Sequence, residues 1–199
     1  MSWDASRRAY TDAAQFFLRT VTLVGDRWGD PGLGEWDVRA LVGHTSRSFL
    51  TVETYLARPA ATAEVASPAD YYAATRAAAA APAVAARGRD AGAALGPAPE
   101  AAAAEIAARV LTLVGTCDGT EQVTTIAGGM RLADYLPTRT FELVVHTLDL
   151  ARALGAPLDV PPLPAAQALA LVAELAVTGG QAGPLLLAAT GRTTELSVL

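Results

Sequence analysis

The stretch RTFELVVHTLDLARALG, residues 139–155, has the apolar periodicity of a single amphipathic helix. Within it Glu142 and His146 stand four residues apart, so their side chains lie on the same side of the helix, one turn apart. Apolar residues surround this pair: Leu143, Val144, Val145 and Leu148. The pair is therefore predicted to face the protein interior, where an ionised Glu142 requires a cation or a strong hydrogen-bond donor.

The same helical periodicity recurs along most of the chain and predicts four long helices. They cover about residues 6–24, 38–57, 100–114 and 132–155. Asp37 has the place of an N-cap for the second helix, and Gly155 has that of a C-terminal glycine cap for the fourth. Four long helices joined by mostly short links predict an all-α fold, an antiparallel four-helix bundle.

The segments between these helices carry signals of their own. Ser67-Pro-Ala-Asp70 is a good helix start, and the Ala-rich helix that follows is expected to end or kink at Pro82. Glycines and prolines scattered through RGRDAGAALGPAPE, residues 87–100, predict a surface connection. The segment DGTEQVTTIAGGM, residues 118–130, predicts a loop with a short extended piece and a hairpin turn near its end.

Residues 1–160 are expected to form the bundle, and residues 161–199 a short C-terminal tail that packs on it. The tail is predicted to hold two helices and then an extended end, and it is too short to form a separate domain. Its apolar segment PLLLAA, residues 184–189, leaves two alternatives open. It packs either on its own bundle or on that of a second copy in a homodimer.

Composition narrows the range of partners. The chain has 199 residues, 52% of them hydrophobic, which is enough for one compact domain with a sizeable core. Its formal net charge of -5 argues against a nucleic-acid partner, which would require a basic face. The single cysteine, Cys117, excludes a disulfide framework and a cysteine-based zinc knuckle. No stretch has the pattern of a signal peptide or a membrane span, so a cytoplasmic protein without a membrane partner is expected.

The two histidines of the chain and Glu142 form an inventory suited to a catalytic divalent metal ion. His44 lies in the middle of the second predicted helix, whereas Glu142 and His146 share the fourth. Two imidazoles and a carboxylate supply three vertices of a tetrahedral zinc site and leave the fourth for water or substrate. The pattern alone leaves two other interpretations open: His44 as a core histidine bonded to a backbone carbonyl, and Glu142 with His146 as a solvated surface pair.

Four further residues are candidates for groups that orient the ligands or line the pocket. They are Asp149, Arg139, Arg47 and Trp36. Three of them have an ordinary alternative: Asp149 as an outward cap, Arg139 as a solvated side chain, and Trp36 as a core or staple residue. No residue is identified as the proton-transfer group, so the catalytic side chains stay unassigned.

Two motifs carry a resemblance to a known family. WDVRALVGH, residues 36–44, and ELVVHTLDLA, residues 142–151, resemble motifs on the second and fourth helices of the metal-binding N-terminal domain of mycothiol-dependent maleylpyruvate isomerases, within the DinB-like superfamily. The resemblance covers roughly residues 5–160 and implies a DinB-like four-helix bundle. It also implies that His44, Glu142 and His146 are the zinc ligands.

The resemblance implies a chemistry as well. A thiol coordinated by zinc ionises near neutral pH, and the thiolate can attack an electrophile in a transfer or an isomerisation. The expected cofactor is therefore a divalent metal ion, zinc, with mycothiol as co-substrate. The expected partners are a small-molecule thiol and a small electrophile.

Two departures from the family's pattern keep other functions open. Leu148 stands where the family commonly has Trp. The roughly 40 residues after Gly155 are too few to build the further C-terminal α/β domain of the isomerases. These departures favour a catalytically inactive bundle that serves as a binding or dimerisation module. A metal-activated water that performs hydrolysis is the third alternative.

Overall fold

A computed structural model describes residues 1–79 and 83–192 of the protein. In these residues the chain forms eight α-helices and two small antiparallel hairpins. The helices are α1 (Trp3–Val21), α2 (Val38–Leu56), α3 (Pro68–Ala79), α4 (Ala83–Ala94), α5 (Pro99–Gly115), α6 (Leu132–Leu154), α7 (Pro162–Thr178) and α8 (Ala182–Ala189). The strands are β1 (Pro31–Leu33) paired with β2 (Trp36–Asp37), and β3 (Gln122–Thr125) paired with β4 (Gly128–Arg131). The protein is thus mostly helical, as predicted.

Capping groups set the ends of the long helices. The Ser2 hydroxyl accepts the backbone N–H of Ala5 at 3.3 Å, so α1 begins earlier than its apolar stripe predicts. Asp37 Oδ1 accepts the backbone N–H of Ala40 at 2.7 Å, which confirms the predicted N-cap of α2. Gly155 adopts the left-handed conformation, with φ 64°, and ends α6 as predicted.

The prediction of a surface connection at residues 87–100 was wrong, because much of this segment belongs to α4. Its glycines are not turn residues but points of close helix packing. A Cβ added to Gly92 would lie 2.8 Å from the Cα of Ala40 in α2, and one added to Gly88 would collide with the Trp36 indole. The glycines therefore permit α4 to approach α2 at backbone distance. The helix break predicted at Pro82 lies outside the described residues.

The segment 118–130, predicted as a loop with a short extended piece, contributes most of the β3–β4 hairpin. Gln122 pairs with Arg131 and Thr125 with Gly128, so the turn consists of residues 126–127, and the two glycines that follow belong to β4. The link after α2 adds two isolated bridges, from Pro59 to Val123 and from Val65 to Met130. The link after α2 therefore pairs with both strands of the hairpin, which leads directly into α6.

Helix α6 lies at the centre of the fold. It packs against α1, α2 and α7, while α2 also packs against α4 and α5. The core between these helices contains large side chains with no or almost no exposed surface: Tyr10, Phe17, Leu41, Phe49, Tyr135 and Leu143. Burying each such side chain contributes about 1.5–3 kcal/mol to folding. The contact between α2 and α6 is the one that assembles the candidate site.

Two further helices follow α6. Helix α7 packs against α1 and α6, and α8 packs against α7. The extended end predicted after Arg192 lies outside the described residues. In the part of the chain that the structure describes, no helix is both long enough and apolar enough to cross a membrane.

Candidate metal centre

The structure brings together the three residues that the sequence singled out. His44 on α2 and Glu142 and His146 on α6 each offer a ligand atom, and these atoms all lie within 4.8 Å of one another. The two imidazole rings meet edge to face, with centroids 4.9 Å apart and an interplanar angle of 86°. The side chains of His146 and Glu142 keep 16% and 24% of their surface exposed, so the cluster is partly open to solvent.

Local packing explains the position of His44. Its ring lies against the Trp36 indole, with ring centroids 4.4 Å apart. The Trp36 Nε1–H donates to the carbonyl of Ala85 on α4 at 2.9 Å, which holds the indole in place. Gly43, the residue before His44, lies directly against the backbone of α4. The close packing of α2 and α4 therefore positions His44 for its contact with α6.

A chain of hydrogen bonds runs along α6. Glu142 Oε2 lies 3.2 Å from His146 Nε2, and His146 Nδ1 lies 3.1 Å from Asp149 Oδ2. This arrangement matches the histidine–carboxylate pairs that orient metal-ligating imidazoles. Asp149, predicted as a candidate orienting group, is therefore in contact with the site.

Tyr72 is a contact that the sequence reasoning missed. Its hydroxyl donates to Glu142 Oε1 at 2.6 Å, from α3 across to α6. Helical periodicity could not predict this contact, because α3 and α6 are separate helices that are distant in the chain. The only signal in the sequence is the aromatic pair Tyr71-Tyr72 at the start of an otherwise Ala-rich helix.

The ionisable groups of the site have strongly shifted pKa values. Burial, followed by the charge of His146, lowers the pKa of His44 to about 4. Burial acts in the same direction on His146, but its hydrogen bonds with Asp149 and Glu142 outweigh this and raise its pKa to about 9. Burial would raise the pKa of Glu142, yet the hydrogen bond with His146 and the charge of Arg139 hold it at about 2. At neutral pH His44 is thus neutral and Glu142 ionised, the forms in which both can bind a metal ion.

The remaining candidate residues surround this cluster. Arg139 is buried, donates to the hydroxyl of Thr138 at 3.0 Å, and places its guanidinium 5.4 Å and 5.0 Å from the ring centroids of Tyr71 and Tyr135. It therefore supplies a positive charge beside Glu142, and it is not a solvated arginine. Arg47 is partly exposed one turn after His44, and its charge contributes to the low pKa of that imidazole.

The donor set fits a divalent metal ion. It contains two imidazoles and one carboxylate, which are ligands that zinc binds in three-residue catalytic sites. In addition, His44 Nδ1 is buried and has no hydrogen-bond partner among the described residues. This observation disfavours the interpretation of His44 as a core histidine bonded to a backbone carbonyl at that nitrogen. A metal ion would also compensate the buried charge of Glu142.

Sequence comparison relates the chain to a known family. The profile of one protein family, the mycothiol maleylpyruvate isomerase N-terminal domain, matches residues 9–151. The match spans most of the chain and includes His44, Glu142 and His146. No curated protein and no solved structure matches the chain significantly. The chain belongs to the family of the mycothiol maleylpyruvate isomerase N-terminal domain.

Proposed function

We propose that the protein is a zinc-dependent thiol S-transferase, or an isomerase-like enzyme, that uses mycothiol and a small electrophile. We also propose that residues 1–160 form a DinB-like four-helix bundle and that residues 161–199 pack on it as a tail. The observation that carries the function is the convergence of His44, Glu142 and His146, with ligand atoms within 4.8 Å, in a chain of this family. In this proposal the three side chains are the metal ligands.

Each side chain has a defined task. A divalent metal ion bound here lowers the pKa of a thiol, so that the thiol reacts as a thiolate near neutral pH. His44 and His146 bind as neutral imidazoles, and Glu142 contributes the negative charge that balances part of the metal's charge. Asp149 holds the His146 ring in one orientation through Nδ1. The partly exposed surface of the cluster admits the thiol and the electrophile.

Apolar side chains beside the site limit the access of water, which favours the chemistry of a bound thiol over hydrolysis. Trp36 covers one side of His44, and Tyr72, whose hydroxyl contacts Glu142, packs edge to face against Phe141. A surface of this kind shields a thiolate from bulk solvent and strengthens its interaction with the charges around it. The electrophile therefore meets the thiol in a partly dry environment.

Metal analysis together with a thiol assay tests this proposal. Purified protein is expected to hold about one zinc ion per chain, and His146→Ala and Glu142→Gln are expected to lose it. Glu105→Gln, on the exposed face of α5, is the matched control and should retain the metal. The wild-type protein and Glu105→Gln should form adducts of mycothiol with a model electrophile, and both site variants should not.

Two results would contradict the proposal. Stoichiometric zinc in His146→Ala would show that the ion binds elsewhere. Zinc-dependent cleavage in a parallel panel of esters and amides, without adduct formation in the thiol panel, would instead support a metal-dependent hydrolase.

A further inference from the structure

The hydroxyl of Tyr72 and the ring of His146 contact different oxygens of the Glu142 carboxylate. Tyr72 donates to Oε1 at 2.6 Å, and Oε2 lies 3.2 Å from His146 Nε2. The Tyr72 ring is itself fixed, because it packs edge to face against Phe141 and Tyr71, with ring centroids 5.5 Å and 5.6 Å away. The hydroxyl also lies 3.3 Å from the carbonyl oxygen of Thr138, a longer contact than that to Glu142.

We propose that Tyr72 is a positioning residue that reserves one carboxylate oxygen of Glu142, so that only Oε2 is offered to the metal ion. The inference rests on the proposed function in one respect, the assignment of Glu142 as a ligand. A phenol hydroxyl has a single proton, and a 2.6 Å bond to an ionised acceptor is a strong use of it. Glu142 Oε1 is thereby engaged, and rotation of the carboxylate would break this bond.

This restriction matters for an open coordination position. A carboxylate can bind a metal ion through one oxygen or through both. If Glu142 used both oxygens, it would occupy the space in which a thiol or water has to bind. With one oxygen, two imidazoles and a single carboxylate atom leave a fourth tetrahedral vertex free. Tyr72 therefore controls how many positions remain for substrate.

No other described neighbour of Glu142 performs this task. Arg139 acts through its charge, and its Nε–H donates to the hydroxyl of Thr138. Asp149 holds the other α6 ligand, His146. Tyr72 thus orients Glu142 as Asp149 orients His146, although Tyr72 lies on a different helix from the ligand that it contacts.

Cobalt(II) substitution and zinc affinity together test this inference. Tyr72→Phe keeps the ring packing and removes only the hydroxyl. Tyr55→Phe is the matched control, because Tyr55 is a buried tyrosine that packs against Tyr135, with ring centroids 5.3 Å apart. Tyr72→Phe is expected to bind zinc about tenfold or more weakly by chelator competition, whereas Tyr55→Phe stays within about twofold of the wild type.

The visible spectrum of the cobalt(II) protein reports coordination number directly. The wild type and Tyr55→Phe should show the intense bands of a four-coordinate ion, and Tyr72→Phe the weaker bands of a higher coordination number. The near-ultraviolet circular dichroism of metal-free Tyr72→Phe should match that of the metal-free wild type, because the hydroxyl acts on the Glu142 carboxylate and not on the packing of the rings.

Three results would overturn the inference. The first is a Tyr72→Phe protein with the affinity and spectrum of Tyr55→Phe. The second is a loss of affinity with an unchanged cobalt(II) spectrum. The third is a loss of affinity together with altered near-ultraviolet circular dichroism of the metal-free variant, since Tyr72 would then act on the fold. All three are distinct from failure of the proposed function, in which Glu142→Gln itself would retain zinc.

Discussion

His44 and His146 lie on different helices, yet their imidazole rings meet edge to face with centroids 4.9 Å apart. Helix α6 alone brings Glu142 and His146 together, since they are one turn apart on it. The third member of the cluster depends on the packing of α2 against α6 and of α4 against α2. The candidate metal centre is therefore a product of tertiary structure. Its metal binding should depend on the protonation of the two histidines and on the packing of the helices.

Metal binding at neutral pH is expected to release about one proton, and this proton comes from His146. The pKa of His146 is raised to about 9, so its ring is protonated at pH 7 and must lose a proton to bind a metal ion. His44 and Glu142 are already deprotonated. Asp149→Asn removes one of the two carboxylates that raise this pKa, and a smaller release is expected.

Calorimetry of zinc binding at pH 7, in two buffers of different ionisation enthalpy, measures the number of protons released. An equal number for the wild type and Asp149→Asn would show that Asp149 does not determine the protonation of His146.

The metal-free protein is expected to be most stable near pH 6.5. The pKa of His146 is raised in the folded state, so its contribution is fully present below pH 6.5 and is lost as the pH rises through about 9. The pKa of His44 is lowered, so its contribution is present above pH 6.5 and is lost as the pH falls through about 4. Glu142 adds a further loss between about pH 4.5 and 2.

Each histidine shift corresponds to about 3 kcal/mol. Urea unfolding of the chelator-treated protein between pH 4 and 9 measures the profile. His146→Gln should flatten the alkaline side and also make the acidic loss smaller, because the charge of His146 contributes to the low pKa of His44. An alkaline side that is unchanged in this variant would assign the loss of stability to another group.

The sequence predicts the α6 part of the site because helical periodicity is local. The spacing of Glu142 and His146 places them on one face, and the apolar residues between them predict burial. His44 could be joined to them only through the inventory of metal-binding residue types and through its place at the end of the motif WDVRALVGH, residues 36–44. The packing of α2 on α6 is a long-range relationship that periodicity does not encode.

The two features that sequence reasoning missed have the same origin. Gly88 and Gly92 are typical of a turn when they are considered locally, but in the fold they allow α4 to pack closely against α2. Tyr72 contacts Glu142 across two helices that are distant in the chain. In both cases the role of the residue depends on a contact with a residue that is distant in the chain, and the neighbouring sequence does not reveal that contact.

Gly43→Ala is expected to damage both the fold and the site. A Cβ at this position would overlap the backbone of Ala91 and Gly92, which cannot move aside as a side chain can. We expect a loss of about 1–3 kcal/mol in the free energy of unfolding, and weaker zinc binding because His44 is the next residue. The matched control is Gly183→Ala in α8, where the added Cβ has no neighbour within 4 Å.

Helix propensity alone should make Gly183→Ala neutral or more stable by up to about 1 kcal/mol. Urea unfolding and chelator competition on both variants make the comparison. Equal stability of the two variants would mean that α2 and α4 are not in backbone contact at Gly43.

Cys117→Ser is expected to leave metal content and adduct formation unchanged, because the reacting thiol comes from the co-substrate. Burial, followed by the charge of Glu121, raises the pKa of the Cys117 thiol to about 11. At pH 7 only about one molecule in ten thousand carries the thiolate. The Sγ–H also points to the carbonyl of Leu113, at 3.5 Å.

Alkylation of native protein by iodoacetamide at pH 7.5, followed by mass spectrometry, should be much slower than alkylation of the denatured chain. Adduct formation that disappears in Cys117→Ser would instead make this residue the nucleophile. Because Cys117 is the only cysteine of the chain, the variant removes every protein thiol at once. The experiment therefore separates catalysis by a bound thiol from catalysis by the protein's own.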